Sequence, residues 1–485
     1  MRKLNFRHFT AWITWMTHRK SERRFLLPAI ILISCILTLS FIVQGCAPQP
    51  GTKKQSVNEY VGDNFTTWED ARFGIFIHWS HSSQQGVEIS WPLVGGTFTM
   101  PYCQNMTVEQ YQSSAATFNP QKWDPVALAK LLKKAGAQYA VMTTKHGDGY
   151  AMFDTKLSDF GVMHSPVGRD LVREYVDAVR AEGMGVGLYF NMKDWHAPDY
   201  PAFTEADKPY HYYFGAPLPP PDQWQRYLDF MFGQVREILT NYGKIDEIWF
   251  DGQFEHKPAD WKVQEMGAMV RQLQPGIKIN DRLYGQGDFD TPEKFIPAQP
   301  PSRPFEICIT MNDSWGYNKD DPSYKSATEL IQTLCEVAGK GGHLLLDVSP
   351  MGDGQLPPEQ IDRLNAIADW MSRNHESITG TKPGLETWQF YGPSTQKENT
   401  IYLHLLAKPY ESITVRSVHV NKVKSVRVLG SGKELQFAKR ITVLDQVRKE
   451  LMNFNDPVGD LVITVPESVI EPHATVVAID FESLP

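Results

Sequence analysis

The run Ile245-Asp246-Glu247-Ile248-Trp249-Phe250-Asp251-Gly252 places a carboxylate at the end of an apolar stretch. Residues 245–250 alternate and finish in two aromatics, the pattern of a buried parallel strand. Asp251 is thereby delivered to the strand's C-terminal edge beside Trp249 and Phe250, and Gly252 lets the backbone turn away. Parallel α/β barrels build their active sites at that edge. A carboxylate fixed beside aromatic rings suits attack on a sugar, whose apolar face stacks on aromatics. The competing reading is a helix-capping Asp in a strand-to-loop turn.

Other apolar runs end the same way. The first gives His78, the second Lys145, His146 and Asp148, the third Tyr189 and Asn191, and a later one Asp281 and Arg282. One such residue is ordinarily a satisfied loop group. Five strands ending so argue for a polar pocket at one barrel mouth. Imidazole, phenol, guanidinium and carboxylate suit hydroxyl groups, which need both donors and acceptors. No Gly-rich phosphate loop occurs. His78 and His146 could ligate a metal, but no third ligand stands at an ordered spacing, so neither metal nor cofactor is expected.

The elements that must position these groups alternate from Asn64 onward. Strand-like runs cover Phe73–Trp79, Tyr139–Thr144, Gly185–Asn191, Ile245–Asp251, Ile277–Arg282, Ile307–Asn312 and His343–Val348. Helical patterns cover Asp124–Ala135, Asp170–Glu182, Asp222–Asn241, Ser326–Ala338 and Pro357–Asn374. Such alternation predicts a parallel sheet with right-handed crossovers. Seven visible strands suggest a (β/α)8-like barrel with one distorted unit, and an open doubly wound sheet is the alternative. After about Gly380 the period shortens. Runs at Thr387–Phe390, Thr400–Leu405, Ser412–Val418, Val423–Leu429, Asp460–Val465 and Ala474–Phe481 read as a small antiparallel β-sandwich. Trp388 and Tyr391 are assigned to its core. The expected organisation is an export segment over 1–46, a tether over 47–63, the barrel over 64–384 and the sandwich over 385–485.

Composition narrows the class. The chain has 485 residues, 42% hydrophobic and 21% charged, enough for a sizeable core. A net charge of −8 gives no sign of nucleic-acid binding. Arg19, Lys20, Arg23 and Arg24 precede an apolar run from Phe25 to Val43, followed by Gly45-Cys46. This is similar to a bacterial lipoprotein signal with Cys46 lipidated; an uncleaved membrane anchor is the alternative. Either puts the rest of the chain outside the cytoplasm, periplasmic or at the cell surface, with membrane contact only through this segment. Cys103, Cys308 and Cys335 remain, an odd number without metal-ligand spacing, so at most one disulfide is expected.

The motifs, taken in order, resemble glycoside hydrolase family 29, the α-L-fucosidases. They run from Trp68-Glu69-Asp70-Ala71-Arg72-Phe73-Gly74-Ile75-Phe76-Ile77-His78-Trp79 through Phe118-Asn119-Pro120, Thr144-Lys145-His146-Gly147-Asp148-Gly149-Tyr150, Met152-Phe153-Asp154-Thr155 and Gly168-Arg169-Asp170. They continue through Trp249-Phe250-Asp251-Gly252, Asn280-Asp281-Arg282, Ser314-Trp315-Gly316-Tyr317 and Leu344-Leu345-Leu346-Asp347-Val348. The resemblance covers about residues 64–384 and implies a retaining exo-hydrolase of terminal α-linked L-fucose, acting on fucosylated glycans. It places the nucleophile at Asp251. It assigns His78, His146, Tyr189 and Arg282 to the fucose hydroxyls and ring oxygen, and makes Trp249, Trp91 and Trp315 pocket walls. Arg282 beside Asp251 would also keep that carboxylate ionised.

A retaining enzyme needs a second carboxyl group about 5–5.5 Å from the first. Glu293, in the loop after the fifth strand, resembles the family's acid/base; Glu306 is the alternative, with Asp288 and Glu88 behind it. A Glu at the first turn after Pro292 is the structural alternative for Glu293. Two departures stand out. Gly147 takes the place of the second of two successive His, which would open space near the hydroxyls and permit a bulkier sugar. Ser90 replaces a Glu before Trp91. They motivate two rival functions: a catalytically weak glycan-binding relative at the cell surface, and a same-fold glycosidase with altered sugar preference.

Overall fold

The computed structural model describes residues 65–94, 102–104, 106–201, 205–208, 217–441, 444, 446–447 and 457–484. The expected export segment, Cys46 and the tether lie outside the described residues. A short helix α1 (Trp68–Ala71) leads into β1 (Phe73–Ile77), and α2 (Val108–Gln112) follows in the long connection to the next unit. With β1, the strands β2 (Tyr139–Lys145), β3 (Gly185–Asn191), β4 (Glu247–Asp251), β5 (Lys278–Ile279), β6 (Glu306–Thr310) and β7 (His343–Val348) match all seven expected runs. The helices α3 (Pro125–Lys134), α4 (Leu171–Ala181), α5 (Pro221–Thr240), α7 (Ala327–Gly339) and α8 (Pro358–Asn374) match the five expected ones. A further helix, α6 (Val263–Leu273), joins β4 to β5.

Local chemistry sets these boundaries. Asp124, Asp170 and Ser326 accept backbone N–H bonds from Ala127, Arg173 and Glu329 at the starts of α3, α4 and α7. Gly136 leaves α3 at φ +91°, a conformation that a residue with a Cβ adopts only under strain.

The sheet runs β5-β4-β3-β2-β1-β7-β6, every pairing parallel. Between its edges lies an extended segment rather than an eighth regular strand. Asn280 pairs with Phe289, Asp290 with Phe305 and Glu293 with Cys308, all in the parallel sense. This segment closes the ring and carries Glu293 to the mouth. Its Asp288, Asp290 and Pro292 explain why no regular ladder forms: Pro cannot donate, and Asp288 turns its carboxylate onto the Ile279 N–H.

Two apolar layers result. Ile75, Val186, Leu188 and Ile248 face the helices, in a large cluster that also contains Leu171, Met231 and Val270. Phe76, Tyr139, Val141, Tyr189, Trp249, Cys308 and Leu345 fill the barrel interior. Among the described residues Cys103, Cys308 and Cys335 are all free and buried, so no disulfide forms between them.

The C-terminal strands are β8 (Lys382–Pro383), β9 (Ser394–Lys397), β10 (Thr400–Leu405), β11 (Ser412–His419), β12 (Val423–Val428), β13 (Phe437–Arg440), β14 (Val458–Thr464) and β15 (Thr475–Phe481). They form a five-stranded sheet, β12-β15-β10-β9-β8, and a three-stranded one, β11-β14-β13. Leu403, Val415, Leu461 and Ile479 meet between the sheets. The outer face of the larger sheet supplies Tyr402, Val476 and Ala478 to the barrel's helical core, and Trp370 Nε1 donates to the Ala474 carbonyl. Two expectations are corrected here. Residues 387–390 form a turn, and Trp388 and Tyr391 are 58% and 62% exposed, outside the sandwich core. The reason is geometric: the turn precedes the first β9 pairing, so neither ring has a facing sheet.

Candidate active site

Period two on β4 turns Glu247, Trp249 and Asp251 toward the barrel interior, as successive layers rising to the C-terminal edge. Tyr189 pairs with Trp249 and Asn191 with Asp251 across β3 and β4. The Tyr189 hydroxyl donates to Asp251 Oδ2 at 2.8 Å, and Asn191 Nδ2 donates to that same hydroxyl at 2.8 Å. Arg282 Nη1 donates to Asp251 Oδ1 at 2.9 Å, while its Nη2 donates to Glu293 Oε2 at 2.7 Å. One guanidinium therefore bridges both carboxylates at the pocket floor. The Arg282 plane also lies over Trp249, 4.8 Å from its ring. Asp251 does not cap a helix: its acceptors are taken by side chains, and Gly252 at φ +75° turns the chain away.

Electrostatics follows from these partners. Burial pushes the Asp251 carboxyl up, but Arg282, His146, Lys193 and the Tyr189 hydroxyl outweigh it and hold it below the usual carboxylate range. Asp251 is thus a carboxylate at neutral pH. Glu293 is the more open partner, its side chain 39% exposed against 19% for Asp251.

His78 and His146 form the opposite wall. His78 Nδ1 is 2.7 Å from Asp347 Oδ1 on β7, with both groups buried. Burial drives each toward its neutral form, His78 down and Asp347 up. His146 Nδ1 is 2.6 Å from Ser90 Oγ, which also accepts the Asp148 N–H at 2.9 Å. Burial lowers His146 to about 3, so its ring stays neutral across the physiological range. Its plane stacks on Tyr189, with centroids 5.6 Å apart.

These groups line a cavity of about 250 Å³, room for about one sugar ring, closed by Trp91, Phe254, Lys294 and Trp315. All nine principal residues expected from the sequence (Asp251, Glu293, His78, His146, Tyr189, Trp249, Arg282, Trp91 and Trp315) border it.

Glu306 does not, which corrects its standing as an alternative acid/base. It sits inside the barrel, where Trp249 Nε1 donates to Oε1 at 2.9 Å and the Tyr139 hydroxyl donates to Oε2. Burial raises it to about 7. No cation meets it, and Trp249 lies between it and the pocket. Asp288 is held by Arg271 and the Ile279 N–H. Glu88 accepts the N–H groups of Ile89, Trp315 and Gly316, so it fixes the Trp315 wall rather than facing substrate.

A model of the family described as "Alpha-L-fucosidase" matches residues 42–376. The chain belongs to the α-L-fucosidase family. A solved structure described as α-L-fucosidase isoenzyme 1 from Paenibacillus thiaminolyticus is 34% identical and superposes with a TM-score of 0.71, covering 86% of this chain and 98% of that one. An α-L-fucosidase from Dictyostelium discoideum is 27% identical over 75% of this chain and 82% of its own. The tissue α-L-fucosidase of Bos taurus is 28% identical over 76% and 81%.

At the two positions singled out in the sequence the structure gives a physical reading. Ser90, at φ +61°, orients His146 directly. Gly147 does not open the pocket as expected: a Cβ there would meet Lys193 Cε at 3.1 Å and the Trp195 ring at 3.4 Å. Sequence reasoning missed Lys193, Lys294, Phe254, Asp347 and Ser90 as parts of the site. Asp347 alone carried a signal, a carboxylate inside the apolar run 344–348.

Proposed function

We propose that this chain is a retaining exo-α-L-fucosidase that removes terminal α-linked L-fucose from glycans, with Asp251 as nucleophile and Glu293 as general acid/base. The observation that carries this reading is the Arg282 guanidinium bonded at once to Asp251 and Glu293 on the floor of a one-sugar cavity. Asp251 attacks the anomeric carbon as the bond from that carbon to the aglycone oxygen breaks, and Glu293 gives its proton to the departing oxygen. A carboxylate ester between Asp251 and the sugar results. Water, deprotonated by Glu293, then displaces Asp251 and regenerates both groups. Neutral His146 and His78 can each donate or accept at a hydroxyl, and Trp249 and Trp315 wall the apolar edge. A pure glycan-capture protein would have no use for an ionised carboxylate beside a proton donor, which disfavours that alternative.

Hydrolysis of 4-nitrophenyl α-L-fucoside by the full chain tests the reading, with Asp251→Asn alongside. We expect release that falls by about 10⁴-fold or more in the variant. A folded wild-type protein that leaves the fucoside intact but cleaves another aryl glycoside would transfer the reading to another sugar.

We propose further that residues 1–46 export the chain and that Cys46 is lipidated; the basic cluster before the 25–43 apolar run supports this. Replacing Cys46 by Ser should release the protein from the membrane fraction.

A further inference from the structure

We propose that Lys193 is a positioning residue of the sugar site, a buried cation clamped behind the pocket wall in the volume that a side chain at position 147 would occupy. This rests on the fucosidase reading above for its kinetic consequence, but not for its electrostatic one.

The geometry carries the argument. Lys193 follows β3 and is 2% exposed. Its Nζ lies 4.1 Å from the Trp195 ring centre, 4.4 Å from Phe254 and 5.4 Å from Trp91. Trp91 and Phe254 border the sugar cavity on their other side. The carboxylate partner is Glu255, at 3.6 Å, itself fixed by the Tyr200 hydroxyl. A buried ammonium against three aromatic faces and one carboxylate costs solvation that an apolar side chain of the same length would avoid. Such a residue is kept for its field or its fit.

Both are visible. Its stem fills the volume beside Gly147, so Gly147 and Lys193 form a matched pair. Its charge acts on Asp251 and His146 and lowers both. The groups around Lys193 are Glu255, Asp251 and His146, with Asp194 engaged by Lys145 at 2.9 Å. Those around Asp251 are Arg282, His146, His78, Lys193, Tyr189 and the thiol of Cys308, with Glu293 beyond Arg282. Removing Lys193 leaves Arg282 as the remaining full positive charge on the nucleophile.

The experiment compares wild type, Lys193→Met, Gly147→His and the double variant. Met keeps the length and apolar stem, so folding is preserved, and thermal melting checks this. For Lys193→Met we expect the acid limb of the kcat/KM profile to move up by about one pH unit, a roughly tenfold loss on that limb with little change at neutral pH, where Asp251 stays ionised. Gly147→His alone should lose activity by about tenfold or more through collision with the lysine. The double variant, built with Lys193→Ala so that the stem is removed, should recover a substantial part of that loss, since coupled neighbours are non-additive. Histidine ¹H–¹⁵N spectra supply a readout independent of turnover: His146 should protonate at higher pH in Lys193→Met than in wild type. An unmoved acid limb together with an unmoved His146 titration would overturn the proposal. If wild type cleaves no fucoside, the functional reading fails, and the histidine titration still decides Lys193.

Discussion

Glu247 and Asp251 stand on the same inward face of β4, yet their carboxyls are held in opposite states. Glu247 meets Glu306 deep in the barrel, where the donors are the neutral groups of Trp68, Trp249 and Tyr139. Burial and the adjacent carboxyl push Glu247 well up, and burial raises Glu306 to about 7. Asp251 meets Glu293 across Arg282 and is held low. One strand thus carries a proton-holding carboxyl in its depth and an ionised one at its mouth. Burial alone cannot make the difference, because it pushes Glu247, Glu306 and Asp251 alike upward. The cation does. Arg282 comes from beyond β5, reaches only the mouth, and marks which carboxylates are available for chemistry.

Removing the cation should break the comparison most severely. Arg282→Met leaves Asp251 without its main counter-charge, so its carboxyl rises toward the behaviour of Glu247. A loss in kcat/KM of about 10³-fold and an acid limb displaced upward are expected. A steady-state pH profile checks both, and an unmoved acid limb would mean that the guanidinium does not separate the two pairs.

At the pocket mouth, Glu293→Ala should cost about 10²-fold on a nitrophenyl fucoside. Azide should restore turnover and appear in the product as a fucosyl azide. Wild-type activity in this variant would return the acid/base role to another carboxyl.

In the deep pair, Glu306→Gln should change activity by less than about threefold, since the amide oxygen still accepts from Trp249 Nε1 and the amide nitrogen can donate to the Tyr139 hydroxyl. Its effect belongs to stability. The folded-state value of Glu306 is raised, so its contribution is fully present below the ordinary glutamate range near pH 4.5 and is lost as pH rises through about 7. Thermal melting should therefore fall across that window in wild type and flatten in Glu306→Gln. A variant as pH-sensitive as wild type would contradict the assignment.

The smallest effect is expected at Trp388→Ala. The ring is 58% exposed, so stability should change by within about 0.5 kcal/mol and activity should not change.

The contrast also shows what was legible in the sequence. Near-continuous apolar runs mark all seven strands, because burial on both faces forces such stretches. Each polar residue ending such a run, Asp251, His78 and Tyr189 among them, was visible as an exception to that rule. What joins strands was not. The closing segment 288–293 has no period, since Pro292 and the Asp288 carboxylate satisfy its backbone locally. Glu293 is therefore reached by resemblance, and Glu306, on a regular strand, stays the alternative that only its buried partners remove. The Gly147–Lys193 match is invisible for a related reason: the residues lie on different strand ends and touch only when β2 and β3 pair. Trp388 and Tyr391 were assigned inward because exposure of large aromatics is uncommon, but no sheet faces them.

The central claim is that Asp251 forms the bond to the sugar. The direct measurement is peptide mass spectrometry after incubating the full chain with a slowly hydrolysed 2-fluoro-L-fucosyl donor. The account predicts one added fluorofucosyl group, on the peptide carrying Asp251, and its absence from Asp251→Asn. An adduct on a different carboxylate, or active enzyme that releases the inverted sugar with no adduct, would contradict it.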